Sequence, residues 1–152
     1  MRKIYLIVVI LMSTFYSFAQ GLTYNISSTN QIKNFKHVFT YTKGYLYDED
    51  FQKSQNPTYS ESKVLIEINS SGTGKLVILF STGNKTTLDI YSCYKKNYNN
   101  SSSGYWEFAV ENELSKNYDK TTSTYCLDID NNTFGDFWQW FKYNKSRYYF
   151  TN

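Results

Sequence analysis

Histidine occurs once in this chain of 152 residues, at His37, proline once, at Pro57, and cysteine twice, at Cys93 and Cys126. These scarcities exclude much chemistry. Nucleophilic catalysis by a Ser-His-acid or Cys-His arrangement needs an imidazole as base. The one imidazole stands at two-residue spacing among Phe35, Phe39 and Tyr41, the pattern of a packed aromatic strand face. One histidine and two cysteines are too few for a usual zinc site. Charge of one sign is also lacking: the formal net charge is +3. The nearest basic cluster, Lys95-Lys96 between Tyr94 and Tyr98, is too short for a nucleic-acid surface. No nucleotide-binding motif is present, and no cofactor is expected.

Long apolar runs are absent but for Ile4 to Met12, which follows the basic pair Arg2-Lys3. A spanning helix needs roughly 20 apolar residues, and Ser13 and Thr14 end this run well short of that. Ser17-Phe18-Ala19 then places small residues where a signal peptidase reads them. The expectation is a signal peptide over residues 1–19, a mature chain starting at Gln20, and a single β-rich domain over 20–152. The mature chain would carry no membrane anchor. Losing Arg2 and Lys3 lowers the basic residues from 16 to 14 against 13 acidic ones, so the net charge falls to +1. The expected location is periplasmic or extracellular, in a bacterial chain whose Asn, Lys, Tyr, Ser and Ile bias suits an AT-rich genome.

What remains is aromatic and alternating. Sixteen tyrosines and eleven phenylalanines fall largely at period two, the spacing of strands. Val64 to Ile68 and Leu76 to Phe80 flank a glycine-bearing loop, and Ser81 to Lys85 turns the chain into Thr86 to Cys93. Tyr105 to Val110, Thr124 to Ile129, Phe137 to Tyr143 and Arg147 to Thr151 read as further strands. Leu22 to Ile26 and Phe35 to Tyr41 are weaker candidates, and Ser28 to Phe39 also fits a helix. Asp48 to Lys63 and Glu111 to Ser123 read as loops or short helices, and Tyr94 to Gly104 as a polar loop. Eight or nine strands in one domain imply an all-β antiparallel barrel or two-layer sandwich, since both remove exposed strand edges. Sequential hairpins favour the barrel.

An exported chain meets oxidising conditions, so a Cys93–Cys126 disulfide is the expectation from compartment. Period-two parity puts Cys93 with Asp89 and Tyr91, and Cys126 with Thr124 and Asp128, both away from the apolar stripes. In a strict meander the two strands would lie roughly 9.6 Å apart, beyond the roughly 7 Å Cα limit of a disulfide. The bond therefore requires another strand order or a twisted strand end.

Glu67, Asp89, Glu107, Asp128 and Asp136 lie in or near strands, but at this density some pair falls close by chance, and no glycosidase is expected. Asp128 to Asn132 echoes a calcium loop, yet Thr133 and Gln139 stand where glycine and glutamate belong. The most suggestive segment is Phe134 to Phe141, with Trp138 and Trp140 on one face and Phe137 and Phe141 on the other. Flat indoles beside amides suit sugars, and concave apolar barrels suit small hydrophobic molecules. The candidate ligand-binding residues are therefore Trp138, Gln139 and Trp140, with Trp106 or Tyr105. The expected function is non-catalytic binding of a glycan or a small apolar ligand. The alternative is docking to an envelope protein through exposed aromatic strands.

Overall fold

Each alternating run becomes a strand because one side of it can be buried while the other stays wet. The computed structural model describes residues 24–50, 53–98, 103–111, 123–130, 133–141 and 145–152. The expected leader, residues 1–19, lies outside the described residues, as does most of the Glu111 to Ser123 segment.

The elements are β1 (Asn25–Ile26), β2 (Ile32–Lys33), β3 (Phe35–Asp48), β4 (Lys53–Ser54), β5 (Thr58–Ile68) and β6 (Gly74–Phe80). They continue as β7 (Lys85–Asn97), β8 (Gly104–Glu111), β9 (Ser123–Asp130), β10 (Thr133–Phe141) and β11 (Ser146–Thr151). From β5 to β11 each strand pairs antiparallel with the next. Strand β3 pairs with β5 on one side and with β11 on the other, closing an eight-stranded antiparallel barrel. Closure satisfies the backbone groups that an open sheet would leave at its edges. The barrel alternative of the sequence reading is the observed one.

Three segments depart from the sequence expectation. The helical reading of Ser28 to Phe39 fails: Asn34 adopts a left-handed φ of 54° between Ile32 and Phe35, which breaks any helical register. Beyond it, Phe35, His37, Phe39 and Tyr41 pair with Ile68, Ile66, Val64 and Ser62 across the inner face. Burial at period two thus prevails over the helical spacing of Ile32, Phe35 and Phe39. The Asp48 to Lys63 stretch is strand from Thr58 onward, and β7 runs on to Asn97 into the expected polar loop.

The barrel is filled by its own side chains. Val64, Ile66, Leu76, Ile78, Leu88, Ile90, Phe108, Leu127 and Phe137 are all buried within it. Eight strands enclose an interior just wide enough for such side chains or for one small ligand. One end is closed by the chain's own N-terminal turn, where Ile32 is fully buried and the Tyr24 ring meets Trp106, Phe35 and Phe134 at 4.8, 6.3 and 6.1 Å. Backbone bonds tie this turn down, with Lys95 N donating to Asn30 O at 2.9 Å.

The expected disulfide is not formed. Both cysteines are buried thiols, on opposite sides of the barrel wall. Cys93 pairs with Phe108 on the inner face, whereas Cys126 pairs with Glu107 on the outer face. Period-two parity breaks at one residue: a β-bulge between Ile90 and Ser92 shifts the register and turns Cys93 inward. With β8 between their strands, the meander holds them two strand spacings apart. Burial raises the Cys93 thiol pKa well above its usual value, with Cys126 and Glu107 adding to the shift. Native protein is therefore expected to react slowly with a thiol reagent, two thiols titrating after denaturation, with thermal stability unchanged by reductant. A single mixed oxidised species and no titratable thiol would refute this placement.

Candidate functional site

The outer face of β8 to β11 carries a cluster of rings and charges that alternation alone assembles. Trp138 and Trp140 stand opposite Cys126 and Thr124 of β9 and opposite Tyr149 and Arg147 of β11. On the far side of β9, Tyr105 faces Asp128 and Glu107 faces Cys126. These strands wall a cleft of about 360 Å³, with Asn97, Glu107 and Thr124 among its polar lining and Trp138, Trp140 and Tyr105 among its rings.

The cleft is built rather than incidental. Trp138 is only 6% exposed. Its Nε1–H donates to Asp128 Oδ1 at 3.1 Å, and the same oxygen accepts the Tyr98 hydroxyl at 2.7 Å. The indole also lies 5.8 Å from the Tyr105 ring and 6.0 Å from that of Tyr149. The Arg147 guanidinium sits 4.9 Å from the Trp138 ring and 5.9 Å from that of Trp140, in range of cation–π attraction. Arg147 is held in turn by Glu49, to which its Nε donates at 2.5 Å. Beside it, the Tyr45 and Tyr149 rings stack at 5.0 Å and 11°.

Titration follows burial and neighbours. Burial, then the hydrogen bond to the Asp128 carboxylate, holds the Tyr98 phenol well above its ordinary pKa. Burial also raises Tyr105, with Glu107 adding to it and Arg147 opposing. Burial alone would weaken the charge of Arg147, but Tyr149 and Glu49 outweigh it and its pKa is raised. The cleft therefore presents neutral phenols and a permanent cation at neutral pH. A phenol so hard to ionise is no general base, and the arrangement of rings, amide, hydroxyl and charged groups can bind and orient a ligand.

The wall divides the candidate residues. Trp138, Trp140 and Tyr105 come together outside. Trp106 is fully buried on the inner face, ringed by Tyr24, Phe35 and Phe134. Gln139 also faces inward, opposite Tyr125 and Tyr148. His37 lies inside between Phe35 and Phe39, its ring 4.6 Å from Phe39, with burial lowering its pKa. Asp128, at the start of the calcium-like stretch, serves instead as the shared acceptor for Tyr98 and Trp138. Arg147 and Tyr98 escaped the sequence reading. Had Phe137 to Phe141 and Arg147 to Thr151 been set in hairpin register, Arg147 would have fallen beside Trp140. No protein-family model, curated protein sequence or solved structure matches this chain.

Proposed function

We propose that this protein is an exported, non-catalytic binding module that holds an uncharged sugar in the outer-wall cleft. The observation that carries the reading is the pair Trp138 and Trp140, one locked by Asp128 and both overlain by Arg147, above a cleft with amide, hydroxyl and carboxylate lining. Locked aromatic platforms lose little freedom on binding, which is where sugar affinity is usually lost. Neutrality of the ligand follows from pairing. Arg147 is bonded to Glu49, and Glu107 lies 3.9 Å from Lys96, so a charged sugar would have to compete with an existing ion pair.

Tryptophan fluorescence across a panel of neutral, acidic and amino-sugar oligosaccharides tests this. Neutral sugars are expected to bind best, and Trp140→Ala to weaken them at least about tenfold, roughly 1.4 kcal/mol. No response to any sugar, with all tryptophans already shielded from an aqueous quencher, would sink the proposal. Export rests on Arg2-Lys3, the run Ile4 to Met12 and Ser17-Phe18-Ala19. A secreted species whose mass begins at Gln20 would support it, and an intact Met1 species in the cytoplasm would count against it.

Docking to an envelope protein is the second reading, and one observation favours it. On the outer face of β3, β5 and β6, Val38, Leu65 and Val77 form a cross-strand row, with Val38 49% exposed. The row beside it is charged, Lys36 and Glu67 pairing at 3.1 Å and Lys75 with Asp89. An ion-paired row on the outside speaks for water rather than lipid around this wall. Among the described residues no helix is long and apolar enough to cross a membrane. Val38→Lys is expected to abolish self-association or partner capture on a sizing column; a wild-type monomer that captures nothing from envelope extracts would dispose of the idea.

A further inference from the structure

Side chains on the outer wall of β3, β5, β6 and β7 stand in level cross-strand rows. Val38, Leu65, Val77 and Thr87 form one row, with Lys36, Glu67, Lys75 and Asp89 beside it. On its other side run Thr40, Lys63, Leu79 and Lys85. Among the described residues the exposed large aliphatic side chains are Ile26, Val38 and Leu79, and two of these stand on this face. In these rows Glu67 is the one acid on the two middle strands, near Lys63 and Lys75. Closure of the barrel leaves association to its walls rather than to strand addition at an edge.

We infer that a second copy of the chain docks on this face, about a two-fold axis that sets Glu67 of each copy against a lysine of the other; this rests on the docking reading of the wall and names its occupant. Symmetry supports it. A two-fold lying along the strands turns each row onto itself, end for end. The apolar row then covers its own copy, with Leu65 on the partner's Val77. The charged row alternates in sign, Lys36 bonding Glu67 at 3.1 Å and Lys75 bonding Asp89 within one chain. Reversal therefore lays Glu67 on the partner's Lys75 and Lys36 on the partner's Asp89. In the third row Lys63, paired with Glu61 at 3.4 Å, crosses the partner's Leu79, against which its methylene stem packs. A two-fold running across the strands also keeps the apolar row on itself, and brings Glu67 to the partner's Lys63. Neither axis sets like charges of these rows against each other. Another protein would have to reproduce this alternation, whereas a second copy already carries it. The wall is convex, so few strands of each copy touch, and the dimer is expected to be weak, with Kd about 10–100 µM.

Sedimentation equilibrium of the purified protein tests it. The wild type is expected as a monomer–dimer mixture. Glu67→Lys should weaken the dimer about tenfold or more, because it sets lysine on lysine twice. Losing the bond to Lys36 costs the fold little, since both side chains are well exposed. Mixing is the decisive step. Glu67→Lys combined with Lys75→Glu, or with Lys63→Glu, should restore the wild-type Kd to within about threefold, as each chain then supplies the charge that the other needs. Rescue by Lys75→Glu marks the axis along the strands, and rescue by Lys63→Glu the axis across them. Glu67→Lys chains that dimerise like wild type overturn the inference, as does a loss that neither mixture rescues. A wild type still monomeric at about 1 mM, well above the expected Kd, overturns it too; if that monomer captures an envelope protein, the docking reading stands with a different occupant.

Discussion

Gly74→Ala is expected to destabilise the barrel by about 3 kcal/mol or more, lowering the melting temperature by roughly 10 °C. Gly74 pairs with Ile68 on β5 and Ile90 on β7. A Cβ at this position would lie 1.7 Å from the Glu67 carbonyl oxygen and 2.7 Å from its carbon. Those atoms belong to the β5 ladder and cannot swing aside as a side-chain tip can, so relief means breaking pairs. Gly104→Ala is expected to behave alike, its added Cβ 2.0 Å from the Lys96 carbonyl oxygen. Gly83→Ala is the control. Its φ of +84° disfavours alanine, but nothing stands within 4 Å, so only the backbone cost of about 1 kcal/mol applies. Thermal unfolding of the three variants checks the ordering. Equal losses at Gly74 and Gly83 would show that conformation, not close strand approach, selects glycine here.

Trp106→Ala should cost about 3–5 kcal/mol, as expected of a large side chain removed from a core. The indole is 0% exposed, with Phe35 at 4.8 Å and Phe134 at 5.1 Å, both close to perpendicular. Its Nε1–H has no hydrogen-bond acceptor among the described residues, and surrounding rings offer at most a weak N–H···π contact. An unpaired buried donor costs about 1–3 kcal/mol, so Trp106→Phe, which removes it, should lose far less than Trp106→Ala. Trp140→Ala is expected to stay within about 1 kcal/mol of wild type. Urea midpoints for the three variants separate the inner from the outer tryptophans. A stability loss in Trp140→Ala matching that of Trp106→Ala would make the outer cleft a packing feature and not a site.

Much of the barrel was legible because alternation is local. Trp106, Phe108 and Val110 fall on one face in sequence and on the inner wall in the structure, as do Tyr125, Leu127 and Ile129. The opposed faces of Phe137 to Phe141 were also plain, since neither a bulge nor a turn interrupts them. What escaped was set by single residues that break the period. Between Phe134 and Phe137 the register slips, and between Ile90 and Ser92 an extra residue reverses Cys93. A bulge has no distinctive composition, so counting by twos passes over it.

The amino-acid order alone determined an all-β chain, its inner and outer stripes, and the pairing of Trp138 with Trp140. Period-two burial needs only neighbours along one strand. Tertiary structure decided the rest: that β3 meets β11 to close the wall, that Tyr24 fills one end, and that Arg147 lies over the two indoles. It also decided that Cys93 and Cys126 face opposite ways, and that Trp106 and Gln139 belong to the inside. Each of these depends on register between strands distant in sequence, which is set by the summed fit of every side chain in the closed barrel.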